Sequence, residues 1–180
     1  MSLNYLLTKI NQDFNVLFDK SHIDEILEKL KVQHPLPEDL QCIENTYGLY
    51  LFTIDTSLFS NLNELEELWL GGENPPLYTP KVIKKNFNKC NALQPSQLPL
   101  YLGKTEKLQT RLDIHINGKR DSKTYSLKLK QRINIDLKHI QLAYYEVGFD
   151  NEICPEIKQL YLTTLEQKLR EQLNPLVGKK

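Results

Sequence analysis

The sequence predicts a single small α/β (α+β) domain in which a mainly antiparallel, three-stranded sheet is flanked by helices. Three observations predict it. Aromatic and β-branched runs bounded by turn residues occur near 47–54, 98–103 and 139–147. Stretches with helical apolar spacing precede, separate and follow these runs. A chain of 180 residues with 40% hydrophobic content can bury one real core and is too short for two full domains.

Taken in order, residues 4–18 repeat apolar side chains at helical spacing, which predicts a first helix. Ser21-His22-Ile23-Asp24 resembles a capping box ahead of Ile26, Leu27 and Leu30, and His34-Pro35-Leu36-Pro37 ends this second helix. The run Tyr47-Gly48-Leu49-Tyr50-Leu51-Phe52-Thr53-Ile54 reads as a buried strand. A helix over about 58–70 follows, stopped by Gly71-Gly72 and Pro75-Pro76. Residues 75–97 read as a long loop with a short helical piece near 82–87. The second strand, 98–103, leads through Thr105-Glu106-Lys107-Leu108 into a helix that runs to about 116 and ends at Asn117-Gly118. Residues 119–138 are polar and basic, with Tyr125, Leu127 and Leu129 alternating weakly. The third strand, 139–147, precedes a last helix over 155–173 that opens on Pro155 and closes at Asn174-Pro175.

No stretch approaches the roughly 18 apolar residues of a membrane span, and the start lacks a signal-peptide core. Cys42, Cys90 and Cys154 are odd in number and far apart, which suits a reducing compartment. A soluble, cytoplasmic protein with no membrane partner is the expectation. Net charge is zero, but it is unevenly spread. Residues 81–139 hold 14 Lys and Arg against 4 Asp and Glu, while residues 1–80 hold 4 against 13. Such a block is the expected footprint of a polyanion partner, and equally that of a solvated charged surface.

Two glycine-tyrosine triplets lie on the first two strands, Gly48-Leu49-Tyr50 and Tyr101-Leu102-Gly103. Strand parity puts Gly48 and Tyr50 on one face, and Tyr101 and Gly103 on one face of the neighbour, so antiparallel pairing would gather both phenols with open space for a ligand. Core tyrosines beside strand glycines are the plain alternative. On the next helix Arg111 and His115 are four residues apart, beside a Leu108-Leu112-Ile116 stripe. On the last helix Glu166 interrupts the apolar stripe of Leu162, Leu169 and Leu173. A half-buried carboxylate needs a partner, either Arg170 one turn on or a hard cation such as Mg²⁺.

The two triplets, followed in order by Lys104, Leu108, Arg111, His115 and Glu166, resemble the GIY-YIG nuclease pattern over about 47–176, and the restriction-endonuclease members most closely. The resemblance implies a helical N-terminal extension over 1–45, a nuclease domain over 46–180, and an insertion over 55–97 between the first two strands. It further implies a DNA endonuclease using Mg²⁺ or Mn²⁺. In that scheme Glu166 would hold the metal and Arg111 would contact the scissile phosphate. Tyr50 would orient or deprotonate the attacking water, Tyr101 would orient the nucleophile or phosphate, and Lys104 and His115 would assist through hydrogen bonds. A palindromic target would favour a homodimer by symmetry. The sequence departs from the pattern at about Gly178, where many members carry asparagine; Asn174 lies four residues earlier. A non-catalytic module that kept the fold for binding nucleic acid or protein is the other reading, with Glu166 paired to Arg170.

Overall fold

The computed structural model describes residues 2–71, 75–90, 92–94 and 96–178; Gly72, expected to help stop the third helix, lies outside them. In chain order the helices are α1 (Leu3–Leu17), α2 (Lys20–Lys31), α3 (Leu62–Leu70), α4 (Lys84–Phe87), α5 (Leu108–Asn117) and α6 (Pro155–Leu173). The strands are β1 (His34–Pro35), β2 (Gly48–Asp55), β3 (Lys81–Val82), β4 (Gln97–Thr105), β5 (Ile140–Glu146) and β6 (Val177–Gly178). Together they form a mixed α/β structure on a four-stranded antiparallel sheet ordered β1-β5-β2-β4.

The sequence predicts three strands and the sheet has four. The added strand is β1, whose two residues pair with Leu142 and Gln141 of β5. Two residues are too few to show an alternating pattern, and Pro35, lacking an N–H, fits only at an edge. A second small sheet joins β3 to β6, tying the segment between β2 and β4 to the chain end. Both were invisible for the same reason.

β2 lies at the centre, between β4 and β5, and seven of its eight residues are buried, as its unbroken apolar run requires. One face of the sheet carries Tyr50, Phe52, Ile54 and Tyr101, packed against Leu108, Leu112 and Ile116 of α5 and Leu65 and Trp69 of α3. The other carries Leu49, Leu51 and Leu102, packed against Ile26 and Leu30 of α2 and Leu162, Leu165 and Leu169 of α6. α2 is therefore part of the central core. α1 buries no residue.

Local chemistry sets the helix ends. Asp19, not Ser21, caps α2, its carboxylate accepting from His22 N–H at 2.7 Å. Asn61 caps α3, its Oδ1 accepting from Glu64 N–H at 3.0 Å, and Glu64 reaches back to accept from the Ser60 N–H at 2.6 Å and from Asn61 Nδ2 at 2.7 Å. Gly71, at φ 72°, closes that helix in the left-handed region. Between β2 and β4 the register slips, so that Phe52 pairs with Tyr101 but Thr53 with Pro99. The extra residue, Leu100, makes a bulge, and Leu100 and Tyr101 consequently join the same core cluster although they are neighbours in sequence.

Candidate active site

Tyr50 stands on the central strand opposite Gly103, and its ring occupies the space a side chain at Gly103 would fill. At Gly48 a Cβ would lie 2.7 Å from the Tyr145 carbonyl. Neither glycine leaves room for a ligand, contrary to the expectation from strand parity: the first gap holds the Tyr50 phenol and the second admits the backbone of β5.

The Tyr50 hydroxyl is the hub. It lies 2.9 Å from His115 Nε2 and accepts from Arg111 Nε at 3.4 Å. His115 is fully buried, and its Nδ1 accepts the Leu127 backbone N–H at 3.0 Å. An acceptor Nδ1 bears no proton, so the neutral ring carries its hydrogen on Nε2 and donates it to Tyr50. Burial, with Arg111 adding to it, holds imidazolium formation well below the usual histidine range and keeps this tautomer in place. Tyr50 thus receives two hydrogen bonds, and its own proton is left to point elsewhere. Burial and the neighbouring Tyr101 push its ionisation strongly upward, while Arg111 pulls it back.

Tyr101 stacks 6.2 Å from Tyr50 and 5.2 Å from the His115 ring. Its phenol is likewise raised by burial, with Arg111 opposing. Arg111 is fixed from the far side by donating from Nη2 to the Tyr125 carbonyl at 2.9 Å. Glu166 comes from α6 beside the edge strand β4. Its Oε1 accepts from Arg170 Nη2 at 2.6 Å, and the same Arg170 nitrogen donates to the Leu102 carbonyl at 2.8 Å. Oε2 has no protein hydrogen-bond partner among the described residues.

Tyr50, Tyr101, Lys104, Arg111 and Glu166 all line one cleft of about 1590 Å³, and His115 stands behind Tyr50 outside it. Lys104 Nζ donates to Gln159 of α6 at 2.8 Å. Asn174 reaches the same cleft at the end of α6, whereas at Gly178 a Cβ would lie 2.9 Å from Ile83 Cδ1 and 3.1 Å from Arg170 Nη1, two side-chain ends that would have to shift to admit one.

The carboxylates that line the cleft are Glu66, Glu166 and Glu171. Among the described residues no three His, Cys, Asp or Glu gather as a metal cage. One carboxylate with a free oxygen is, however, the kind of protein contribution Mg²⁺ takes while keeping most of its waters. Glu166 Oε2 fits that requirement.

Sequence reasoning missed the backbone strap over 125–127. Its Tyr125 carbonyl holds Arg111, its Leu127 N–H fixes the His115 tautomer, and its Ser126 N–H bonds the Tyr78 carbonyl at 3.2 Å. These are main-chain contacts, so no residue type betrays them. The basic block also needs correction, because Lys128 and Arg132 are interior residues. Lys128 Nζ donates to the carbonyls of Leu77, Arg120 and Ser122. Arg132 stacks 3.3 Å from the Trp69 ring centre, and burial brings its guanidinium down to about 9.

No family model, curated protein or solved structure matches this chain. Cys42, Cys90 and Cys154 are all free thiols, Cys42 and Cys154 being exposed, and no helix among the described residues is long and apolar enough to cross a membrane.

Proposed function

We propose that the chain is a metal-dependent DNA endonuclease of the GIY-YIG type, acting on a phosphodiester placed between Tyr50, Arg111 and Glu166. The observation that carries this reading is convergence: side chains from β2, β4, α5 and α6 line the same cleft although up to 116 positions separate them in the chain. In this reading β2, β4 and β5 with α5 and α6 are the three-stranded nuclease core, and β1 is an addition to it.

Phosphodiester hydrolysis needs a positioned water, stabilisation of charge on phosphorus-bound oxygens, and help for the leaving oxygen. Arg111 carries the second role, since a guanidinium stays charged and presents several donors in a plane. Its Nε and one Nη2 bond are committed to Tyr50 and Tyr125, which holds the fork in one orientation. Tyr50 carries the first role. With His115 and Arg111 donating to its oxygen, the phenol keeps its proton and donates that O–H in a hydrogen bond to the attacking water, which orients it; a cation at Glu166 and Arg111 would favour the phenolate, which could instead accept the water's proton. A Mg²⁺ or Mn²⁺ at Glu166 would supply positive charge beside the phosphate and a more acidic water. Tyr101, stacked beside Tyr50, would orient the water or phosphate, and Lys104 would reach the substrate only by leaving Gln159.

A second reading has its own observation. The Glu166–Arg170 ion pair at 2.6 Å is the partner arrangement a non-catalytic nucleic-acid-binding or protein-binding module would keep. Supercoiled plasmid with Mg²⁺ or Mn²⁺ separates the two. The nuclease reading expects nicking or linearisation that a chelator abolishes and that falls by at least about 100-fold in Arg111→Ala and Glu166→Ala. Plasmid left intact by a folded, DNA-binding wild type would favour the binding module. Glu166→Ala cutting at the wild-type rate would remove the metal assignment.

A further inference from the structure

Tyr78 is one of three non-glycine residues with positive φ among the described residues, at 51°. A bulky aromatic gains nothing from that conformation, and such residues persist where the surroundings fix them. Here the fixing is explicit. The Leu77 N–H donates to the Arg120 carbonyl at 3.2 Å, the Leu77 carbonyl accepts from Lys128 Nζ at 2.7 Å, and the Tyr78 carbonyl accepts from Ser126 N–H at 3.2 Å. Lys128 is itself fully buried, so the clamp is anchored in the interior.

The side chain is treated in the opposite way. Tyr78 is 52% exposed and lines the cleft that holds the two site phenols. A locked backbone that presents an open ring is not a packing arrangement. The same strap also links the ring to the site: Ser126 bonds Tyr78, and the carbonyl of the preceding Tyr125 holds Arg111. Two backbone contacts on adjacent residues therefore separate Tyr78 from the guanidinium assigned to the phosphate. Leaving aside the interior Arg132, six Lys and Arg against three Glu line this cleft, in a chain whose charges balance at 23 each. An aromatic face beside surplus positive charge is complementary to a polyanion whose units carry flat π-faces.

We propose that Tyr78 is a stacking platform for a nucleobase of the strand whose phosphate Arg111 holds. The inference rests on the nuclease reading and deepens it by naming a substrate class. A base whose face lies on Tyr78 has left its own duplex stack. The preferred ligand is then a strand with an unpaired or readily unstacked base beside the scissile phosphate, bound more tightly than the same sequence fully paired.

The test uses DNA oligonucleotides, single-stranded and duplex, with 2-aminopurine walked along one strand, in chelator so that nothing is cut. Wild type is compared with Tyr78→Phe, which keeps the ring, and Tyr78→Asn. Asparagine tolerates positive φ, so Tyr78→Asn removes the ring while leaving the backbone at least as comfortable, and its Tm should match or exceed wild type. Single strand should bind wild type and Tyr78→Phe alike and more tightly than duplex, with the fluorescence of one 2-aminopurine position changing on binding. Tyr78→Asn should bind about ten-fold or more weaker and lose that response. If Tyr78→Asn binds as tightly as wild type with the same fluorescence change, the platform is overturned and the nuclease reading stands. If wild type binds neither oligonucleotide, both fall together.

Discussion

His115 shows how much a single ring can determine. The Leu127 N–H fixes its tautomer, the tautomer fixes the direction of the hydrogen bond to Tyr50, and that bond leaves the phenol proton for other uses. The same burial has a consequence for stability. Folded His115 binds its proton only well below the usual range, whereas the unfolded chain protonates near the ordinary value of about 6.5. The unfolded state therefore holds more protons below that value. Stability from this group is fully present above about pH 6.5 and is lost as pH falls toward the folded pKa. Urea unfolding at pH 7.5 and pH 5 should show wild type losing stability on acidification, with a smaller loss in His115→Gln. Equal pH slopes in the two proteins would contradict the assignment. Of the residues on the cleft, Glu166 stood out as a carboxylate on an apolar stripe and Arg111 by its place beside one, whereas Tyr50 and Tyr101 each read singly as core tyrosines and were singled out only by their joint occurrence with the others. The Gln159 hold on Lys104 was not legible, since it joins β4 to α6 across 55 positions and follows no local pattern.

At the scale of elements, legibility followed length. β2, β4, β5, α1, α5 and α6 have enough residues to display a period, and the sequence locates them to within a few positions. β1, β3 and β6 have two residues each and show no period at all. The strap over 125–127 was read as polar and basic, because its contribution is made by main-chain groups. The two N-terminal helices also differ more than their similar amphipathic patterns suggest. α2 inserts Ile23, Ile26 and Leu30 into the core, while α1 leaves Leu3, Leu7 and Ile10 more than half exposed. Deleting residues 2–17 should accordingly shift Tm by only a few degrees, whereas Ile26→Ala should cost about 2–5 kcal/mol through lost burial and a residual cavity. Thermal and urea unfolding of both variants measure this. A collapse of the deletion variant with Ile26→Ala unaffected would reverse the description of the core.

For the molecule as a whole, the sheet separates two apolar layers, and the chemistry gathers where one layer meets the edge of β4. α5 supplies Arg111 and His115 from one face, and α6 brings Glu166 from beside the edge strand. Parity along a strand and spacing along a helix put each residue on its own element; only the packing of α6 against β4 brings Glu166 into the same cleft as the phenols. Charge was partly legible at this scale. The basic block does border the cleft through Lys81, Lys84 and Lys85, yet Lys128 and Arg132 from that block are spent on interior carbonyls and an indole ring. In the proposed nuclease the Tyr50 oxygen takes part in bond cleavage beyond its packing role over Gly103. Single-turnover cleavage by Tyr50→Phe tests this most directly, because phenylalanine keeps the ring and removes only the oxygen. DNA binding should be unchanged and the cleavage rate at least about 100-fold lower. A Tyr50→Phe protein that cuts as fast as wild type would contradict this participation.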